Sequence, residues 1–160
     1  MNWLKLFLWL QEVISRWAEK QVFAPPVFPP EVDEKQRKSE PLQDMLLAIK
    51  KHEGWYPGSR SYRNNNPGNI RGGQWKLAVG KDSSGFCVFK TYADGYITLQ
   101  TLVLNAARGK STVYKPTDTL RTFFRRYAPP DDNNNAYHYA EVVATAMGVD
   151  PDNWQIRELV

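Results

Sequence analysis

Leu42–Gly54, LQDMLLAIKKHEG, sets Leu42, Met45, Leu46 and Ile49 at helical spacing and ends on a glutamate and a glycine. Four residues beyond Ile49 the same stripe reaches Glu53, so the pattern predicts a carboxylate on the inward face of a helix, in its last turn. Gly54 is where such a helix stops. Ser39 is the expected N-cap, with Glu40 and Pro41 suited to the first turn. The position is unfavourable for a charged acid. The negative end of the helix dipole opposes the anion by about 0.3–1 kcal/mol, and burial beside Met45, Ile49 and Trp55 opposes it further. A glutamate held this way becomes a proton donor near neutral pH, the tuning used by glycosidase general acids. The sequence leaves a second orientation open, in which Glu53 turns outward and pairs with Lys50 or Lys51.

The next segment, Ser61–Gly73, reads SYRNNNPGNIRGG. A turn needs only one or two residues that tolerate positive φ or bond their own backbone, and Asn66, Pro67 and Gly68 supply them. The other asparagines are surplus. Their uncharged amides, each with one acceptor and two donors, suit a partner rich in hydroxyl and acetamido groups, or else a solvated loop. Two strand-like runs follow, 75–79 and 86–90, joined by a Gly/Asp/Ser turn; they predict a hairpin in which Cys87 is a strand side chain. Thr91 and Asp94 form a capping box for a helix with Tyr96, Leu99, Leu102, Val103 and Ala106 inward and Gly109 at its end. Thr117 is the expected cap of another, burying Leu120, Phe123, Phe124 and Tyr127. A last long helix carries Tyr137, Val143, Ala144 and Met147 to Gly148, and Asp150 and Pro151 open a terminal turn. The fold class expected is α+β, a mostly helical body with one small hairpin after the first helix.

Residues 41–160 make one domain, and 42% hydrophobic content over 160 residues supports one ordinary core. Residues 1–21 place Trp3, Leu6, Phe7, Leu10, Val13, Ile14 and Trp17 on one amphipathic stripe. This predicts either a tryptophan-anchored helix at a membrane surface or a helix packed on the domain or a partner chain. The apolar run Leu6–Leu10 is too short to span a bilayer. A cleaved signal peptide fits poorly, with Lys5 as the only early cation and Ala24 followed directly by Pro25 and Pro26. Residues 22–40 read as a proline-rich, charged linker.

A single cysteine, Cys87, excludes an intrachain disulfide, and His52 and His138 lie far apart in sequence, so neither metal nor cofactor is expected. Between residues 50 and 126 fourteen Lys/Arg face four carboxylates, and beyond 126 the balance reverses. The basic residues are scattered and no groove-reading motif accompanies them, so no specific nucleic-acid partner is expected.

The blocks IKKHEGWYPGSRSYRNNNPGNIRGG (49–73), FCVFKTYADGYITL (86–99) and FFRRYAPPDDNNNAYHYAEVVATAMGVDP (123–151) resemble the lysozyme-like domains of phage virion proteins and of bacterial lytic transglycosylases. The resemblance runs over about residues 42–152 and says nothing of residues 1–40. It implies a two-lobed α+β fold whose cleft binds peptidoglycan glycan strands, with Glu53 as catalytic acid, in a cell envelope or a phage virion. It places the asparagine block at the edge of the small lobe and Tyr137 across the cleft. Ser61, Arg63, Asn65, Asn66, Asn69 and Tyr137 are then the substrate-binding candidates. Hydrolytic glycosidases pair two acids, about 5–5.5 Å apart when retaining and about 6.5–9.5 Å when inverting. No acid lies between Glu53 and Asp82. A lytic transglycosylase needs only one, which favours transglycosylation unless Asp82, Asp131 or Asp132 folds back to the cleft. A protein that has this fold without turnover, acting as a glycan-binding or structural component, is the alternative.

Overall fold

The computed structural model describes residues 40–129 and 135–160. The amphipathic stripe of residues 1–21, residues 22–39 of the linker, Asp131 and Asp132 lie outside them, and the N-cap of the first helix is Glu40, one residue past the expected Ser39, with no side-chain cap bond. Among the described residues the class is α+β: five α-helices and one two-stranded antiparallel sheet. The helices are α1 (Pro41–His52), α2 (Arg60–Arg63), α3 (Tyr92–Ala107), α4 (Leu120–Tyr127) and α5 (Ala136–Met147). The strands are β1 (Ala78–Lys81) and β2 (Cys87–Phe89), and a 3-10 turn closes the chain at Ile156–Leu159.

Each helix boundary has a local cause. Pro41 opens α1, where its missing N–H would have had no partner in any case. Glu53 is the C-cap, and Gly54 follows at φ +70, a conformation glycine adopts without a Cβ clash. The Thr91–Asp94 box caps α3 in both directions. Gly148 ends α5 in the left-handed region, as its place after Met147 predicts. The cap of α4 is Thr119, not Thr117. Residues 115–118 form a turn held by Asp118, whose carboxylate accepts from the Lys115 N–H, leaving Thr119 extended with its hydroxyl accepting from Thr122 N–H.

Helix α1 packs on α5, α4 on α5, and α3 on both β2 and the terminal 3-10 turn. Met45, Leu46, Ile49, Leu99, Val103, Phe123, Phe124, Tyr139 and Val143 fill the shared core. The first strand begins at Ala78, three residues later than the expected run from Trp75. Trp75 packs against the core instead, and the hairpin turn is set by Asp82, which accepts from the Ser84 and Phe86 N–H groups at 2.9 Å.

The small sheet is extended sideways by the asparagine segment. Cys87 N–H donates to Ile70 C=O and Phe89 N–H to Asn64 C=O, each at 2.9 Å, and Arg71 pairs with Phe86 as an isolated bridge. The segment thus covers the β2 edge that β1 leaves unpaired. It also lies hard against α3. A Cβ on Gly95 would come within 1.8 Å of the Asn65 carbonyl oxygen and 2.9 Å of Pro67 Cδ. Gly95→Ala therefore pushes the loop off the helix, with an expected loss of about 2–3 kcal/mol in denaturant unfolding. An unchanged midpoint would show that the loop has room.

Candidate active site

Glu53 faces inward. Its carboxylate accepts from Asn69 Nδ2 at 2.9 Å on Oε2 and from the Tyr139 hydroxyl at 2.9 Å on Oε1. The outward alternative is not taken: the Lys50 ammonium lies over the Trp55 and Tyr92 rings and meets the Tyr92 hydroxyl at 3.3 Å. Burial raises the Glu53 pKa above the ordinary glutamate value, and the bonds from Asn69 and Tyr139 offset only part of that rise. The C-terminal end of α1 acts in the same direction as burial.

A cleft of about 480 Å³ opens at Glu53. Arg60, Asn69, Ile70, Arg71, Gly72 and Phe86 line it from the hairpin side; Leu102, Tyr114, Arg126, Tyr127, Ala128 and Pro129 line it from the helical side. Glu53 is the one carboxylate among these residues. Asp82 is committed elsewhere. It accepts from Asn64 Nδ2 at 2.8 Å and from two backbone N–H groups, and the Asn64 bond, first of several causes, holds its pKa below the usual aspartate value. Asp118 is buried under Arg126.

The two tyrosines nearest Glu53, Tyr127 and Tyr139, are neutral donors. Burial, with the proximity of Tyr127 and Glu53 acting in the same direction, pushes the Tyr139 hydroxyl well above the ordinary phenol range. Burial does the same for Tyr127, which donates to the Gly68 carbonyl oxygen, and pushes Tyr114 up to about 12. Tyr139 is fixed by stacking on Phe124, ring centroids 4.3 Å apart, and on His52 at 3.7 Å. Two histidines distant in sequence, His52 and His138, come to 6.1 Å between ring centroids, yet among the described residues no group of His, Cys, Asp and Glu could hold a metal ion.

Of the candidates from the sequence, Glu53 and Asn69 meet and the rest do not join them. Asn66 is fully buried; its Nδ2 donates to Ile70 C=O at 3.0 Å and Cys87 C=O at 2.9 Å, and its Oδ1 accepts from Ile70 N–H at 2.9 Å. Asn65, at φ +50, donates to Phe89 and Lys90 carbonyls at 3.2 Å. Ser61 is buried and donates to Gly54 C=O at 3.1 Å, and Arg63 donates to Gly58 C=O. These side chains serve the backbone because a two-stranded sheet and a tight loop leave carbonyls and N–H groups that need partners. Of these candidates, Asn69 alone has a buried side-chain polar atom without a partner, its Oδ1; elsewhere among the described residues Trp75 Nε1, Arg121 Nη1 and Gln155 Oε1 share that state.

Tyr137 is 62% exposed and lies under Arg121, whose guanidinium carbon is 3.5 Å from its ring centroid. The tyrosine that reaches Glu53 is Tyr139, two residues on. The signal for it was present: Tyr139, Val143 and Met147 recur every four residues on the buried face of α5, whereas Tyr137 shares its side with Glu141. Arg60, Arg71 and Arg126 had no comparable signal, since residues far apart in the chain bring them to one cleft.

No family model matches the chain, and no curated protein or solved structure matches it.

Proposed function

We propose that this chain cleaves the glycan strands of peptidoglycan at the β-1,4 bond between N-acetylmuramic acid and N-acetylglucosamine, with Glu53 as acid and then base. The observation that carries the reading is the state of Glu53: a carboxyl with raised pKa, oriented by two neutral donors, and the one carboxylate lining the described cleft. The motif blocks that resemble lytic transglycosylases support the same choice of substrate.

In the first step Glu53 gives its proton to the glycosidic oxygen as the C1–O bond breaks, leaving positive charge at C1 and a carboxylate on the protein. Asn69 Nδ2 and the Tyr139 hydroxyl already point at that carboxylate and stabilise it as it forms. In the second step the C6 hydroxyl of the same sugar attacks C1 and returns its proton to Glu53, closing a 1,6-anhydro ring. Protons balance over the cycle. Because no second carboxylate lines the described cleft, transglycosylation is favoured over hydrolysis.

The first step needs Glu53 protonated, so activity falls as pH rises through its raised pKa. Tyr139→Phe keeps the stacked ring and removes one donor to the carboxylate, which moves that alkaline limb to still higher pH. The profile of kcat/KM on sacculi, measured beside a thermal melt, checks this: a limb that stays in place in the folded variant would remove Tyr139 from the role. The proposed function itself is tested by soluble glycan release from purified sacculi, and a folded protein that releases none would overturn it.

A further inference from the structure

Two donors on the helical wall of the cleft are held in place and left without an acceptor. Tyr114 lines that wall with its ring packed on Phe123, centroids 4.5 Å apart, and its backbone N–H held by Ser111 Oγ at 3.1 Å. Its hydroxyl bonds no described residue. Burial pushes that hydroxyl up to about 12, so it keeps its proton and stays a donor. Arg126 lines the same wall. Its Nη1 donates to the buried Asp118 carboxylate, which also accepts from the Lys115 N–H at 2.8 Å, so one edge of the guanidinium is fixed inward. Nε and Nη2 bond no described residue, and the side chain is 36% exposed. The two groups are neighbours: the Arg126 charge acts on the Tyr114 hydroxyl.

A half-buried hydroxyl without an acceptor is costly until a ligand supplies one. The kind of acceptor follows from the surroundings. Asp118 already matches the Arg126 charge, so a second carboxylate would gain little from the arginine and be repelled by the first. A neutral oxygen is favoured. Leu102 and Ala128, both buried, and Pro129 line the same wall and give it apolar surface. An amide carbonyl carrying a methyl group meets both demands, in the usual pattern of an apolar pocket with a few placed donors.

We propose that Tyr114 and Arg126 receive the acetamido carbonyl of an amino sugar, with its methyl group against Leu102 and Ala128, and so select N-acetylated strands at the cleft. This rests on the glycan-cleaving reading. It moves the recognition of acetamido groups from the asparagine loop, whose amides mostly serve the backbone, to the helical wall.

The test uses the full-length Glu53→Gln chain, so that binding is measured without cleavage. Its ligands are peptidoglycan strands freed of their stems and three glucosamine oligomers of one length: N-acetylated, N-formylated, and with free amines. The acetylated oligomer is expected to bind about 10-fold or more tighter than the free amine, which lacks both the carbonyl and the methyl. The formylated oligomer keeps the carbonyl without the methyl and should lie between them. Adding Tyr114→Phe keeps the ring on Phe123 and removes the hydroxyl. It is expected to weaken the acetylated and formylated oligomers by about 3- to 10-fold, the worth of one neutral hydrogen bond, and to leave the free amine unchanged. Arg126→Lys, which retains a cation for Asp118, is expected to act in the same way. Equal weakening of all three oligomers would mark a structural role and overturn the inference. So would an acyl preference untouched by Tyr114→Phe; where that variant fails to fold, Arg126→Lys decides. Equal or tighter binding of the free amine by the Glu53→Gln chain, with the strands still bound, overturns the inference and leaves the glycan reading standing, whether or not the further variants fold. If neither strands nor oligomers bind, the inference and the function it rests on both fall.

Discussion

Glu53→Gln is expected to give a folded protein that has lost about 10²-fold or more of its activity on sacculi, the range for removing a general acid. The amide is nearly isosteric with the carboxyl. Tyr139 still donates to its oxygen, and the Asn69 amide, turned over, presents to the new NH2 the Oδ1 that otherwise has no partner. Stability follows from the direction of the pKa shift. Folding raises the Glu53 pKa above its unfolded value, so its favourable contribution is complete below that unfolded value, near 4.5, and is lost as pH rises through the folded pKa. Glutamine has no such loss. The variant should melt at or above the parent temperature at neutral pH, with the advantage shrinking in acid. Undiminished turnover in the folded variant would remove Glu53 from the chemistry.

Asn66→Ala is expected to cost about 3 kcal/mol, because it leaves one buried carbonyl and one buried N–H without partners at roughly 1–3 kcal/mol each. The groups are the Cys87 carbonyl and the Ile70 N–H, which tie the loop to β2; the Ile70 carbonyl loses the Asn66 bond but keeps that from Cys87 N–H. Urea unfolding measures the loss. Affinity for glycan should fall only with the folded fraction, since Asn66 is fully buried and does not line the cleft. A stable variant with weakened binding would instead restore the expectation that this amide reads sugar.

What the sequence disclosed divides along the range of the interactions involved. Glu53 at the end of α1, the Thr91–Asp94 box and the stop at Gly148 were all legible, because each depends on residues within a turn or two of itself. The destination of the asparagine amides was not. Asn64, Asn65 and Asn66 bond to partners 18 to 25 residues away in the hairpin, apart from the short bonds between Asn66 and Ile70. Composition shows that such amides need partners without showing whether carbonyls or sugars provide them. Likewise Trp75 has the side chain of a strand residue but packs on the core before β1 begins. The choice of Tyr137 over Tyr139 is a different kind of error, since the four-residue spacing from Tyr139 through Val143 to Met147 could have been read directly. The arginines of the cleft belong with the asparagines: Arg60 and Arg71 meet at Phe86 only once the hairpin has folded beside the loop.

The most direct test of the central claim is mass spectrometry of the fragments released from purified sacculi by the full-length chain, with the Glu53→Gln variant run in parallel. The account predicts fragments ending in 1,6-anhydro-muramic units from the parent protein and none from the variant. The absence of glycan fragments from the folded parent, or the same fragments released equally by both proteins, would contradict it.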